Sequence, residues 1–288
     1  MIAGAKTVSV IDNKGCTTSG AITVGQPTAP SLSLSKTDVS CFGGSDGTVT
    51  ATVSGGTAPY SVTLGATTQT ISSSGGSTTF TGLTAGSKTV SVSDAKSCTT
   101  SGSITVNQPA ALSESLTKVD VSCNGGNNGS VTITVSGGTA PYQVTLGTTK
   151  TINVDGGSTT FASQTAGSKT VSVTDAKGCT TSASITVNEP AAALSVTLSK
   201  TDVSCFGGSD GTVTATVIGG TAPYSVTLGA TTQTISTSGG STTFTGLTVG
   251  SKTVSVTDAK SCTTSGSILI SQPAALSLTL SKTDVSCN

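Results

Sequence analysis

The chain repeats itself with a period of about 82 residues, which is the length of a small domain. The segment KTDVSCFGGSDGTVTATV begins at Lys36 and returns at Lys200, and a diverged copy, KVDVSCNGGNNGSVTITV, begins at Lys118. Eight cysteines keep the same period in two sets. The sets are Cys41, Cys123, Cys205 and Cys287, and Cys16, Cys98, Cys179 and Cys262. A period of this length is too long for one rung of a solenoid, so the repeat predicts a row of small domains.

The repeat also sets the expected domain boundaries. We divide the chain after its QP and EP dipeptides, which gives three complete units at 28–109, 110–190 and 191–273. Residues 1–27 match the C-terminal part of a repeat, and residues 274–288 match the N-terminal strand of another. We therefore expect the natural array to continue in both directions.

Within a unit, apolar residues alternate with Ser and Thr over seven short segments. In the first unit these are 31–40, 48–53, 60–64, 69–72, 77–81, 88–93 and 100–106. Gly- and Pro-rich turns such as GGSDG and GGTAP separate them, and no window has helical periodicity. The pattern predicts an all-β fold: tandem immunoglobulin-like β-sandwich repeats of about 82 residues that form an extended rod.

Composition removes several classes of function. The chain has 13 Lys plus Arg, all of them Lys, against 13 Asp plus Glu, and it has no His. It therefore lacks imidazole for acid–base catalysis or metal binding, and it lacks the guanidinium fork that binds phosphate. Its balanced charge does not favour nucleic acid, and no apolar run is long enough to insert into a membrane. We predict no enzyme activity, no catalytic residue, no metal and no cofactor.

Two cysteines per repeat, without His or a CxxC pair, predict disulfides in an oxidising compartment. Inside one sandwich, Cys41 and Cys98 would lie at opposite ends, roughly 25 Å apart. A disulfide needs Cα atoms within about 7 Å. Stacking units head to tail would instead bring Cys41 to Cys179 and Cys123 to Cys262, and we favour these junction pairs.

Other pairings stay open. Junction pairing leaves Cys16 and Cys98 to find partners upstream, and Cys205 and Cys287 to find partners downstream. The second choice is pairing inside one unit, which would require a different strand order. The third is a hairpin that joins Cys16 to Cys41 about the QPTAP turn.

Two acidic turns could suggest calcium ligands. Each turn offers only one carboxylate, whereas calcium takes six to eight oxygen ligands, so we interpret these residues as turn formers. They are Asp46, Asn128 and Asp210 in the first turn and Asp94, Asp175 and Asp258 in the second.

Three tyrosines each follow a Pro at the start of a predicted strand: Tyr60, Tyr142 and Tyr224. We expect buried rings with the hydroxyl at the rim rather than platforms for stacking sugars. The Thr-rich strand faces are interpreted as solvated surface. The two glutamates, Glu114 and Glu189, lie at unit edges and do not suggest the buried acid that an isopeptide cross-link needs.

The segments VSCFGGSDGTVTATVSGGTAPYSV at 39–62, GLTAGSKTVSVSDAKSCTT at 82–100 and SITVNQPAAL at 103–112 resemble the SprB repeat of large Bacteroidetes surface proteins. The resemblance covers the whole chain. It implies an extracellular, cell-surface protein exported by type IX secretion, whose full length is moved by the gliding machinery.

These observations together predict a structural stalk in a large adhesin, which supports surface adhesion and gliding motility. Its partners within the chain are the neighbouring repeats. Two alternatives remain: the repeats themselves bind polysaccharide or a solid surface by avidity, or they assemble into an extracellular filament.

Overall fold

The chain forms a short hairpin followed by three modules of the same architecture. The computed structural model describes residues 2–285, and all regular structure in them is β-strand. The hairpin contains β1 Gly4–Ile11 and β2 Thr17–Val24. No helix within these residues has the length and apolar character needed to cross a bilayer.

Each module contains seven strands at equivalent positions. The first has β3 Ser31–Thr37, β4 Gly47–Ser54, β5 Tyr60–Leu64, β6 Thr67–Ile71, β7 Ser77–Leu83, β8 Gly86–Ser93 and β9 Thr99–Val106. The second has β10 Ser113–Val119, β11 Gly129–Ser136, β12 Tyr142–Leu146, β13 Thr148–Ile152, β14 Ser158–Gln164, β15 Gly167–Thr174 and β16 Thr180–Val187. The third has β17 Ser195–Thr201, β18 Gly211–Ile218, β19 Tyr224–Leu228, β20 Thr231–Ile235, β21 Ser241–Leu247, β22 Gly250–Asp258 and β23 Thr263–Ile270.

The seven strands form two antiparallel sheets that pack face to face. In the first module the sheets have the orders β3-β4-β7 and β6-β5-β8-β9, and the other two modules repeat this arrangement. The predicted all-β, immunoglobulin-like fold is confirmed. The first predicted strand, 31–40, ends earlier, at Thr37, because the residues after it turn into the loop that carries Cys41.

Alternation in the sequence explains which face of each strand is buried. Along β4, Val49, Ala51 and Val53 are fully buried, while the Thr residues between them are only partly buried. Tyr60 and Phe80 complete the aromatic part of the core between the sheets. The core is therefore made of small β-branched residues around one Tyr and one Phe.

Each module is entered at one end and left at the other. The first and last strands, β3 and β9, pack against each other. Just beyond them, the N–H of Val39 donates to the carbonyl of Asn107 at 2.9 Å, so both strands finish at the same end of the module. Consecutive modules can therefore follow one another head to tail.

The two partial repeats differ in secondary structure: the first forms a β-hairpin, and the described part of the last contains no strand. The β1–β2 hairpin has the register of β8 and β9, with Gly4 opposite Val24 as Gly86 is opposite Val106. Residues 271–285 form no strand, so the strand expected within 274–288 is absent from the part that the structure describes. In each complete module that strand is held by hydrogen bonds to the strand after it, and residues 271–285 include no strand with which it could pair.

Candidate functional site: the junction between modules

Two disulfides join successive modules. Cys41 is bonded to Cys179, with 5.7 Å between the Cα atoms and a sequence separation of 138 residues. Cys123 is bonded to Cys262, also with 5.7 Å between the Cα atoms and a separation of 139 residues. These are the pairs that head-to-tail stacking predicts. Among the cysteines of residues 2–285, neither a pair inside one unit nor the hairpin pair of Cys16 with Cys41 is present.

The other cysteines do not share these bonds. Cys16, Cys98 and Cys205 are exposed and unpaired, and Cys287 lies outside the described residues. By repeat position Cys98 corresponds to the bonded Cys179, and Cys205 corresponds to the bonded Cys41. Disulfides from these cysteines to further modules, upstream for Cys16 and Cys98 and downstream for Cys205 and Cys287, stay a prediction.

The loop that carries Cys41 is a tight turn closed by its own polar groups. The N–H of Gly44 donates to the Cys41 carbonyl at 3.0 Å, and the N–H of Ser40 donates to Asp46 Oδ1 at 2.9 Å. Hydrogen bonds from the Ser40 hydroxyl and N–H lower the pKa of Asp46, and the positive charge of Lys177 in the next module adds to this. Asp46 is therefore a turn residue, as predicted.

The equivalent turns keep the same hydrogen bond with different residues. Asn128 Oδ1 accepts from the Ser122 N–H at 2.9 Å, and Asp210 Oδ1 accepts from the Ser204 N–H at 3.1 Å. The neutral amide of Asn128 thus accepts the same hydrogen bond as the carboxylates of Asp46 and Asp210. Within residues 2–285, no three acidic or Cys side chains come together as a group that could hold a metal ion.

The loop that carries Cys179 is organised by a buried aspartate. Asp175 Oδ1 accepts from the N–H groups of Lys177 at 2.8 Å and Cys179 at 2.9 Å. Its Oδ2 accepts from the Thr139 N–H at 2.8 Å, in a different loop of the same module. The carboxylate is 5% exposed. It fixes the position of the bonded cysteine relative to the core.

Asp94 holds the equivalent turn of the first module. Burial acts to raise the pKa of Asp94, but hydrogen bonds from the N–H groups of Cys98, Thr57 and Lys96 outweigh it and lower that pKa. The sequence predicted hydrogen bonds to the local turn. It did not predict the burial or the bond from Thr57, because that partner lies 37 residues away.

A Gln or Glu before the linker Pro ties the module exit to the cysteine loop. Gln108 Oε1 accepts from the Gly43 N–H at 2.8 Å, and Glu189 Oε2 accepts from the Gly125 N–H at 2.5 Å. Sequence reasoning used the QP and EP dipeptides only as unit boundaries. These dipeptides recur at a nearly fixed distance from the GG turn that follows each cysteine equivalent to Cys41. That regular spacing was the signal that could have predicted contact between the dipeptide and the turn.

The tyrosine at the start of the third strand secures the module entry. The Tyr142 hydroxyl donates to the Gly137 carbonyl at 2.7 Å, and the ring is 1% exposed, which confirms the buried position. Gly138 N–H donates to the Ala110 carbonyl of the incoming linker at 2.9 Å. A Cβ on Gly137, whose φ is 74°, would lie 2.0 Å from the Ala111 carbonyl oxygen. Only Gly fits this close approach.

Glu114 is not the peripheral residue that its sequence position suggests. It lies in β10 opposite Val135, and its Oε1 is buried without a hydrogen-bond partner. The equivalent residues in the other modules are Leu32 and Val196. Glu114 therefore replaces an apolar residue at the edge of the core.

Successive two-sheet modules, joined by disulfides at their junctions, define a tandem immunoglobulin-like repeat protein. The sequence model of the SprB repeat matches the chain three times, at residues 33–64, 115–146 and 197–228. Each match runs from the first strand of a module through its third. Each complete module therefore contains one match to the SprB repeat.

Several solved structures resemble the chain at low identity. It is similar to a tetra-tandem repeat in the extending region of a large adhesion protein, with 20% identity, 95% of this chain and 83% of that chain covered, and a TM-score of 0.32. It is similar to Sidekick-1 immunoglobulin domains 1–5, with 12% identity and a TM-score of 0.36. That match covers 94% of this chain and 66% of the Sidekick-1 chain. It is also similar to invasin, a bacterial integrin-binding protein, with 18% identity and a TM-score of 0.34. That match covers 84% of this chain and 60% of invasin. The chain thus spans less than two thirds of the last two. No curated protein matches it.

Proposed function

We propose that this chain is a structural stalk segment of a large extracellular adhesin. It holds a distal binding region away from the cell and so supports surface adhesion and gliding motility, with the gliding machinery acting on the full-length protein and type IX secretion as the export route. The observation that carries the proposal is the disulfide at each junction between complete modules. Such bonds form and persist outside the cytosol.

The chemistry of the surface supports a structural, non-enzymatic role. The sequence has no His and no Arg, and the buried aspartates are occupied by backbone N–H groups. The Thr hydroxyls on the strand faces also pair with one another, as between Thr50 and Thr79 at 2.8 Å and between Thr63 and Thr68 at 2.9 Å. Hydroxyls satisfied in this way are less available to a glycan, which favours a spacer over a binding surface.

The stalk proposal makes a dimensional prediction. Strands of seven or eight residues rise about 3.3 Å per residue, so a module with its loops spans roughly 35–45 Å and three modules span over about 100 Å. Small-angle X-ray scattering on the oxidised chain should give an elongated particle of this length. A compact particle would contradict the proposal.

Binding by the repeats is tested separately. Chains of one, two and three modules are passed over immobilised polysaccharides and a solid surface, and a stalk should bind neither. Retention that rises steeply with module number would favour avidity instead. Light scattering at micromolar concentration should show monomers, whereas growing particles would favour filament assembly.

A further inference from the structure

The two disulfides interleave along the chain. In sequence order the bonded residues are Cys41, Cys123, Cys179 and Cys262, so the second bond starts inside the loop closed by the first. In every module one cysteine follows the first strand, and the other comes directly before the last strand. Each bond therefore connects the end of a first strand to the start of a last strand in the next module.

This connectivity creates two continuous covalent paths. The first path leads from Cys16 through β2 and β3 to Cys41, crosses the disulfide to Cys179, and continues through β16 and β17 to Cys205. The second path leads from Cys98 through β9 and β10 to Cys123, then crosses to Cys262 and β23. Neither path passes through the second to sixth strands of a complete module.

The two paths lie side by side in each complete module. In the first module β3 belongs to the first path and β9 to the second, and these strands pack against each other. At their ends, the N–H of Asn107 donates to Asp38 Oδ1 at 2.7 Å. The equivalent bonds, from Asn188 to Asp120 and from Ser271 to Asp202, are also 2.7 Å long. A polar tie therefore joins the paths once per module.

We propose that the chain bears axial tension along these two covalent paths, which leaves the module cores out of the load. A pull that enters along a first strand leaves through the disulfide into the last strand of the next module. The other five strands are not in series with it, so tension does not have to unfold a sandwich. This goes beyond the stalk function, because a spacer need not resist force, and it can fail while the stalk proposal stands.

The first path has a definite length limit, because it omits most of the chain between its two ends. The path consists only of the segment from Cys16 to Cys41 and the segment from Cys179 to Cys205. These segments together hold about 51 residues, and at about 3.5 Å per stretched residue the intact path stops at about 180 Å. The reduced chain has about 189 residues between Cys16 and Cys205, so it could extend to about 660 Å.

Single-molecule pulling through the native thiols tests this limit. Handles are attached to Cys16 and Cys205 in the oxidised chain, with Cys98→Ser and Cys287→Ser removing the other attachment points. We expect extension to stop at about 180 Å, without steps from unfolding modules. Unfolding steps that lengthen the chain beyond that limit would overturn the proposal.

Two matched double variants separate load-bearing from general stabilisation. Removing the bond in the path, with Cys41→Ser and Cys179→Ser, should restore unfolding steps. The shortest remaining path then has about 164 residues, so extension should reach about 570 Å. Removing the other bond, with Cys123→Ser and Cys262→Ser, should leave the limit at about 180 Å.

These controls also distinguish failed folding from a wrong proposal. Both double variants lose one junction disulfide, so a purely stabilising role would change the extension limit in both. Adding reductant to the folded, handled chain breaks both bonds without substitutions near a core, and extension should then reach about 660 Å. If the limit survives reduction, covalent load-bearing is refuted.

Discussion

The hydroxyl of Tyr142 offers a sharp test of how each module secures its entry. The ring is buried, and its hydroxyl donates to the carbonyl of Gly137 in the turn that receives the linker. Tyr142→Phe removes the donor and keeps the ring, so the packing of the core stays the same. The carbonyl of Gly137, in a half-buried turn, then loses its donor.

The expected loss follows from that geometry. A buried acceptor left without a partner costs about 1–3 kcal/mol, and the half-buried Gly137 carbonyl should cost an amount toward the lower end of that range. Because no cavity is created, the loss should remain below the roughly 3–5 kcal/mol of deleting a whole aromatic side chain. Native-state hydrogen exchange in the core strands of the second module should therefore speed up roughly 5- to 150-fold.

Hydrogen exchange followed residue by residue is the suitable assay, because three linked modules need not unfold in one step. The core amides of Val144 and Val173 report on the second module. Tyr60→Phe and Tyr224→Phe serve as matched controls, and each should accelerate exchange only in its own module. Unchanged exchange in residues 110–190, or equal acceleration in all three modules, would refute the reasoning.

Three further predictions concern single residues. Gly137→Ala should destabilise the second module by more than about 1 kcal/mol, because its Cβ would meet a backbone oxygen, whereas Gly147→Ala, where the space is open, should cost less in a thermal melt. Glu114→Leu should raise the stability of that module by about 1 kcal/mol in hydrogen exchange, since it removes a buried oxygen without a partner; no gain would mean that the carboxylate is solvated. The lowered pKa of Asp94 means that its carboxylate stabilises the fold above its ordinary value of 3.8 and that this contribution is lost as the pH falls through the folded value. Melting temperature should therefore drop below about pH 4, and Asp94→Asn should flatten that drop.

The strands could be predicted because their causes are local. Alternation places Val49, Ala51 and Val53 on one face of β4, and the same rule gave all seven strands of the first module with shifts of a few residues at their ends. The GG turns likewise mark positions of positive φ, which a pair of Gly residues indicates from the local sequence. Both patterns can therefore be recognised without knowing any partner elsewhere in the chain.

The candidate site was only partly predictable. The period showed that two cysteines recur at fixed positions, and stacking ranked the junction pairs first among three possibilities. Gln108 and the bond from Thr57 to Asp94 were missed, because each contact joins loops far apart in sequence. Glu114 was misplaced because only the register of β10 against β11 turns it toward the core.

The sequence by itself determined the repeat, the strand pattern and the presence of paired cysteines, since these follow from side-chain type and spacing along the chain. Only the tertiary structure decided that Cys41 meets Cys179 and that first and last strands form continuous covalent paths. The reason is geometric: a bond across 138 residues depends on which ends of two folded modules come together, and no local pattern specifies that.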